Sequence, residues 1–549
     1  MRHDIWQGDR WLSAVLLALA AAAGIRGGAA AVAAAATSAV PAAPATSAAP
    51  TTVATSVAPA AQATTGGQAA AAAAPAKARI DSGVLAGVDR DGVLVFQGVP
   101  YAAPPVGELR WRAPQPAAPW QGERSAAAPG AICMQGSGAS EGASEDCLTL
   151  QVFAPKGAHG APVMVWLHGG ANFFGSSSAS YYDGGSFARD GVVLVAANYR
   201  LGAFGFFAHP ALSRAAAPGE GLANFALMDQ IAALRWVERN VAAFGGDPKR
   251  VTVFGESAGG TDVLALLASP AARGLFARAI VESPGRAWDP LPSLRDAEAE
   301  GVRFAAAAGL AGGAAATPAA LRAIPAQRLL DVKQGDFLPT LDGTEMTESP
   351  AAAFAHGRAA RVPLIVGSNS YEASLAGDAA AMVQEHSAET RAAYAGEGAT
   401  PEALGEALFA DKWFTAPVRW YARRAAAAAP AWLYHFSYVR TSQRGKVPGA
   451  PHGSEIPYVF DSWDRISRRA ALLPAEDRAM TAVVHGLWVS FATTGVPSSP
   501  QLPPWPAYTA ERDELMDLGI KPAVRAHFRQ RQLDAQERAA AATLPAAAH

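Results

Sequence analysis

RVTVFGESAGGTDVLALL, residues 250–267, decides the fold. Arg250–Phe254 is rich in β-branched and aromatic residues and reads as a strand. Thr261–Leu267 (TDVLALL) reads as a helix, and between the two stands Gly255-Glu256-Ser257-Ala258-Gly259. Gly-x-Ser-x-Gly after a strand and before a helix is a nucleophile elbow. The turn is so tight that side chains two before and two after the serine would collide with neighbouring backbone, hence Gly255 and Gly259. The serine sits strained at the helix N-terminus, and the Ala258 N–H faces the place where an oxyanion would form. The motif alone is weak, since a chain with 53 glycines meets it by chance. The strand before it and the helix after it give it weight.

Upstream, Pro162–Leu167 (PVMVWL) is a short apolar strand that ends at His168-Gly169-Gly170-Ala171. Val192–Ala197 (VVLVAA) is a second, ending at Asn198-Tyr199-Arg200. Met228–Asn240 carries Ile231, Leu234, Trp236 and Val237 on one helical face, and Phe244-Gly-Gly-Asp-Pro248 stops that helix. Apolar strands alternating with helical patterns predict an α/β fold with a mostly parallel sheet. The glycine-rich loop at 168–171 can turn the N–H groups of Gly170 and Ala171 into the site, or be a simple strand-to-loop turn.

Several further stretches complete a pattern: Phe96–Trp111 (FQGVPYAAPPVGELRW), Glu145–Leu150 (EDCLTL), Asn198-Tyr199-Arg200, Asp229-Gln230, Phe244–Pro248 and Phe254–Gly260 (FGESAGG). Together they resemble the type-B carboxylesterase family of bacterial esterases, liver carboxylesterases and cholinesterases, over roughly residues 80–510. The resemblance implies an α/β-hydrolase fold: a central, mostly parallel sheet flanked by helices, with inserted helical cap regions. It also implies a serine carboxylic ester hydrolase working through an acyl-enzyme on Ser257. Glu372, in Gly367-Ser-Asn-Ser-Tyr-Glu-Ala373, takes the place of the orienting acid. His452, in the segment 449–460 (GAPHGSEIPYVF), takes the place of the general base and acid. By residue pattern alone, Glu372 is any loop carboxylate and His452 any of eleven histidines. The order Ser…Glu…His is that of the α/β-hydrolases.

The resemblance puts Gly170, Ala171 and Ala258 in an oxyanion hole, and Ser283 and Glu455 around the histidine. It also pairs Arg110 with Glu145 and Arg200 with Asp229. Glu256 either tunes the field at the serine or is an ordinary buried carboxylate. His159, His209, His356 and His485 read as surface or core residues. Ala171 stands where many members have a third glycine; it keeps the N–H but leaves the backbone less free. The loop between Cys133 and Cys147 contains no aromatic residue, so a quaternary ammonium has no cation–π partner there, which disfavours choline esters.

The rest of the chain sets bounds. The formal net charge of −2 gives no basic surface for nucleic acid. Two cysteines allow no zinc spacing, and the chemistry needs neither metal nor organic cofactor. Arg2 and Arg10 precede an apolar run, Trp11–Ile25, which reads as a signal peptide over residues 1–27. That run is short for a span of about 20 residues, and Asp4 and Asp9 dilute its basic flank; an uncleaved anchor or a misplaced start codon is the alternative. Residues 28–77, almost all Ala, Pro, Thr, Ser, Val and Gly, read as a disordered linker, 78–530 as the catalytic domain and 531–549 as a disordered Ala-rich tail. No later segment is long and apolar enough to span a bilayer. The protein is expected to be secreted or periplasmic, where Cys133 and Cys147, 14 positions apart, should pair. Its expected partner is a small-molecule ester. A non-catalytic adhesion ectodomain of the same fold competes with this reading, but retention of Ser257, Glu372 and His452 weighs against it. An amidase or a specialised detoxifying esterase of the same fold also stays open.

Overall fold

The computed structural model describes residues 75–136, 142–217, 219–332, 335, 337–466 and 473–544. Its main sheet has 13 strands: β1 (Pro75–Ile80), β2 (Gly83–Arg90), β3 (Val93–Pro100), β4 (Glu123–Ser125), β5 (Thr149–Pro155), β6 (Ala161–Leu167), β7 (Val193–Ala197), β8 (Gly246–Glu256), β9 (Arg278–Glu282), β10 (Leu364–Asn369), β11 (Ala431–Phe436), β12 (Glu514–Leu518) and β13 (Ala523–Ala526). The spatial order is β1-β2-β3-β5-β7-β6-β8-β9-β10-β11-β12-β13, with β4 beside β2. From β7 to β12 every neighbouring pair is parallel. The flanking pairs β1/β2, β2/β3, β3/β5, β5/β7 and β12/β13 are antiparallel.

The parallel centre follows from side-chain type. Every residue of β6 is buried, as a strand covered on both faces requires. Its side chains alternate between two cores. Val163, Val165 and Leu167 enter one, shared with helix α1 (Phe225–Asn240) through Leu227, Ile231 and Leu234, and with helix α2 (Ala258–Ala268) through Val263, Leu266 and Leu267. Met164 and Trp166 enter the other. Between β9 and β10 lies an insertion containing helix α3 (Leu294–Ala307). Between β10 and β11 a second insertion contains α4 (Pro401–Ala410), a π-helical turn (Asp411–Thr415) and α5 (Ala416–Ala426). These are the expected cap regions. Helix α6 (Ala475–Thr494) covers the second core with Val484, Leu487, Trp488 and Phe491.

Cys133 and Cys147 form a disulfide. Arg110 grips Glu145 through two hydrogen bonds of 2.6 and 2.5 Å, and Arg200 grips Asp229 through two of 2.7 Å. Two boundaries differ from expectation. Strand β1 begins at Pro75, inside the stretch read as linker. In the stretch read as a disordered tail, helix α7 (Gln530–Ala540) forms. Its anchorage is largely ionic, which an Ala-rich composition hides: Asp534 and Glu537 lie 2.7 and 3.1 Å from Arg419, and Leu533 is buried. The expected signal peptide, and the linker up to residue 74, lie outside the described residues. Among the described residues no helix is long and apolar enough to cross a membrane.

Candidate active site

Ser257 stands between β8 and α2 with φ 57° and ψ −122°, a region a serine adopts only when its surroundings impose it. The glycines show what imposes it. A Cβ built on Gly259 would lie 2.1 Å from the Leu167 carbonyl oxygen, and one on Gly255 would lie 2.6 Å from the Gly259 carbonyl oxygen. Backbone therefore packs directly on backbone where β6 meets the elbow. The Ser257 N–H donates to the Glu282 carbonyl at the end of β9. Ser257 is buried to 7% exposure.

Glu372 opens a short 3-10 turn (Glu372–Leu375) just after β10. His452 lies on the long loop after β11. The two loops are stitched together: Tyr371 N donates to Ala450 O at 2.9 Å, Ala450 N to Ser370 Oγ at 2.8 Å, and His452 N to Ser374 Oγ at 3.0 Å. This brings His452 Nδ1 to 2.6 Å from Glu372 Oε2. The other carboxylate oxygen, Oε1, accepts from Ser283 Oγ at 2.6 Å and from the Asn369 N–H at 2.7 Å. Glu372 is thus fixed at both oxygens. Glu455 points elsewhere, accepting from the Asn369 side-chain amide. The Phe414 ring, carried by the π-helical turn, packs 5.1 Å from the imidazole.

The opposite ring nitrogen meets a carboxylate instead of the serine. His452 Nε2 lies 3.0 Å from Glu256 Oε1, outside hydrogen-bonding geometry. Among the described residues no hydrogen bond joins Nε2 to Ser257 Oγ. Four glutamates, Glu256, Glu282, Glu372 and Glu455, are all at most 4% exposed here. Burial disfavours the imidazolium, but Glu256 and Glu372 outweigh it and raise His452 to about 9. Burial pushes Glu256 up to about 7 and Glu455 to about 8. Glu282, which accepts from Trp488 Nε1 at 2.9 Å, is also held well above the ordinary carboxyl range by burial.

The loop after β6 lies against the serine: a Cβ on Gly169 would be 3.1 Å from Ser257 Cβ. Gly170 has φ 113°, Ala171 φ 54° and Asn172 φ 60°, a left-handed run that includes two non-glycine residues. Phe173 N and Phe174 N both donate to Gly170 O. Among the described residues the N–H groups of Gly170, Ala171 and Ala258 have no acceptor. The alanine at 171 therefore pays a conformational cost that a glycine would not.

Two residues of this neighbourhood went unread in the sequence. Asp262 is buried in α2 and receives hydrogen bonds from Asn172 and Gln230; a lone carboxylate inside TDVLALL was its visible signal. Phe414 had no such signal, because nothing local marks an aromatic residue that a distant insertion swings over a histidine.

Comparison with known proteins identifies the family. The profile of the Carboxylesterase family matches residues 74–392 and 379–536. Fumonisin B1 esterase of Sphingopyxis macrogoltabida is 38% identical over 469 residues, covering 80% of this chain and 85% of that protein. Para-nitrobenzyl esterase of Bacillus subtilis is 36% identical over 473 residues, covering 79% and 93%. A solved structure of a PNB esterase superposes with a TM-score of 0.73 at 33% identity, over 84% of this chain and 99% of that one.

Proposed function

Since the chain belongs to the carboxylesterase family and is a carboxylic ester hydrolase, we propose that Ser257, His452 and Glu372 perform the hydrolysis. The observation that carries this is the pairing of a doubly anchored Glu372 with His452 Nδ1, next to a serine held in a strained elbow. A serine hydroxyl is a poor nucleophile at neutral pH. His452 Nε2 takes the Ser257 proton as Oγ attacks the ester carbonyl carbon, and the C=O π electrons move to oxygen. The N–H groups of Gly170, Ala171 and Ala258 bind that oxyanion. Collapse breaks the bond to the alcohol oxygen, which leaves with the proton from Nε2. Water then repeats the cycle on the acyl-enzyme, releasing the acid and restoring Ser257. Glu372 fixes the imidazole tautomer and offsets the charge it acquires.

Glu256 stands beside Nε2 at 3.0 Å, where its charge acts on the imidazole that serves Ser257. Ser283 and Glu455 support the histidine from behind, Ser283 through Glu372 and Glu455 through Asn369. The substrates are small-molecule esters other than choline esters. The relatives named as fumonisin B1 esterase and para-nitrobenzyl esterase support small-molecule esters as the substrate class. Ser257→Ala should lower hydrolysis of p-nitrophenyl acetate to background with the melting temperature unchanged, and a sulfonyl fluoride should label Ser257 alone. Near wild-type turnover in that variant would remove the assignment. The protein works outside the cytoplasm, a reading supported by the Cys133–Cys147 disulfide and the apolar N-terminal run. The mature N-terminus of the exported protein, read by mass spectrometry near residue 27, tests it; an intact residue 1 in a cytoplasmic fraction would overturn it.

A further inference from the structure

Asp262 is 1% exposed and lies five residues after Ser257 on α2. Among the described residues it has no lysine, arginine or histidine partner. Its carboxylate is held by two side-chain amides instead: Asn172 Nδ2 donates to Oδ1 at 3.1 Å, and Gln230 Nε2 to Oδ2 at 2.6 Å. The carbonyl oxygens of those amides, Asn172 Oδ1 and Gln230 Oε1, are buried without a hydrogen-bond partner. Both amides therefore leave an acceptor bare so as to aim their NH2 groups at one carboxylate. Burial raises Asp262 to about 7 against the pull of the two amides. A carboxylate in an apolar helix that leaves two buried acceptors unpaired is a poor way to stabilise a fold.

What it ties together gives it a purpose. Asn172 directly follows Gly170 and Ala171, the two residues of this loop read as oxyanion donors, and it holds φ 60° after Ala171 at φ 54°. Two successive non-glycine residues in the left-handed region persist only where neighbours over-determine them. Asn172 is held at its carbonyl by the Gly202 N–H at 2.7 Å and at its side chain by Asp262. Asp262 rides on the helix that begins at Ala258. One rigid helix thus carries the nucleophile at its start and, one turn further on, the tether of the loop that faces it.

We propose that Asp262 is a positioning residue which, through Asn172, sets the height of the Gly170 and Ala171 N–H groups over Ser257. This rests on reading those N–H groups as oxyanion donors. Donors of this kind act only at the right distance from the oxyanion, and a shift of about 1 Å can cost about 100-fold in rate.

The test compares Asp262→Ala, Asp262→Asn and Asn172→Gly in kcat and KM for p-nitrophenyl acetate. It adds the inhibition constant of a trifluoromethyl ketone, which forms a hemiketal oxyanion on the serine, and the melting temperature. Asp262→Ala should lower kcat about 10- to 100-fold with KM within about twofold, and weaken the ketone in parallel. Asp262→Asn keeps a planar group that can still accept from one amide NH2 and donate to the carbonyl of the other once that single amide flips, and should restore most of the rate. Asn172→Gly is the sharper variant, because it relieves backbone strain while cutting the tether. It should keep or raise the melting temperature and still lose kcat and ketone affinity. Wild-type kcat and ketone affinity in a folded Asn172→Gly or Asp262→Ala protein would overturn the proposal, as would Asp262→Asn no better than Asp262→Ala. If Asp262→Ala fails to fold, Asn172→Gly and Asp262→Asn decide alone. Failure of the ketone to inhibit the wild-type protein would count instead against the oxyanion reading itself.

Discussion

Asp229 and Glu372 are both fully buried, yet they are accommodated in opposite ways. Asp229 is gripped by the Arg200 guanidinium through two hydrogen bonds and a third from the Arg200 backbone N–H. Asp513 with Arg419 and Asp411 with Arg529 repeat that solution at the far side of the sheet and on the π-helical turn. Glu372 and its neighbours Glu256, Glu282 and Glu455 have no arginine or lysine partner among the described residues. They share one imidazole, an indole N–H, a serine hydroxyl and the amides of Asn369. Where the fold needs a carboxylate it supplies a fixed cation; around His452 the charge is left free to respond to a proton. The first arrangement holds shape, and the second holds a field.

That contrast predicts opposite responses to removing charge. Glu372→Gln should cut kcat about 10^4-fold, because the amide no longer selects the tautomer or offsets the imidazolium. The same variant should change the melting temperature little, since the amide oxygen still accepts from Ser283 and the Asn369 N–H and the imidazole can lose its proton rather than be left as an unpaired charge. A melting temperature that falls in step with activity would erase the distinction. Arg200→Met should do the reverse. It strands Asp229 and should cost about 3–5 kcal/mol of stability, read by denaturant titration. The fraction that stays folded should turn over ester at a near-normal rate.

The two regions also differed in how far they were legible. The elbow could be read from residues alone, because its geometry is local: Gly255 and Gly259 are demanded by backbone two residues from Ser257 and by Leu167 on the adjacent strand. Glu372 and His452 could not, because the stitching of Tyr371 to Ala450 that unites them is tertiary, and only resemblance pointed there. The Arg200–Asp229 pair was visible for the same reason of resemblance. Glu256 was recognised as adjacent to the nucleophile, but its orientation toward Nε2 was not, since the side chain of a residue in a strained turn goes where the turn aims it. Helix α7 was missed because composition weighs its alanines and not the partners of Asp534 and Glu537. Asp262 left a visible trace, a charge in an apolar run, that only the position of Asn172 turns into a role.

Glu256 offers the smallest and most discriminating change. The charge of its carboxylate raises His452 more than the charge of Glu372 does, while Glu372 adds a hydrogen bond, and both work against the burial that lowers it. Glu256→Gln removes a negative charge beside Nε2 without changing shape. The imidazolium loses stabilisation, so the histidine gives up its proton at lower pH. A base that becomes neutral sooner moves the acidic limb of kcat/KM downward, by roughly one to two pH units for the loss of an opposite charge at this range. The wild-type limb should accordingly fall at or below about 9, and that of the variant below it. The plateau rate should change far less than in Glu372→Gln, because Nδ1 keeps its partner. If the limb stays in place or moves upward, Glu256 is only a buried side chain that fills space next to the serine, and the field around His452 is set by Glu372 alone.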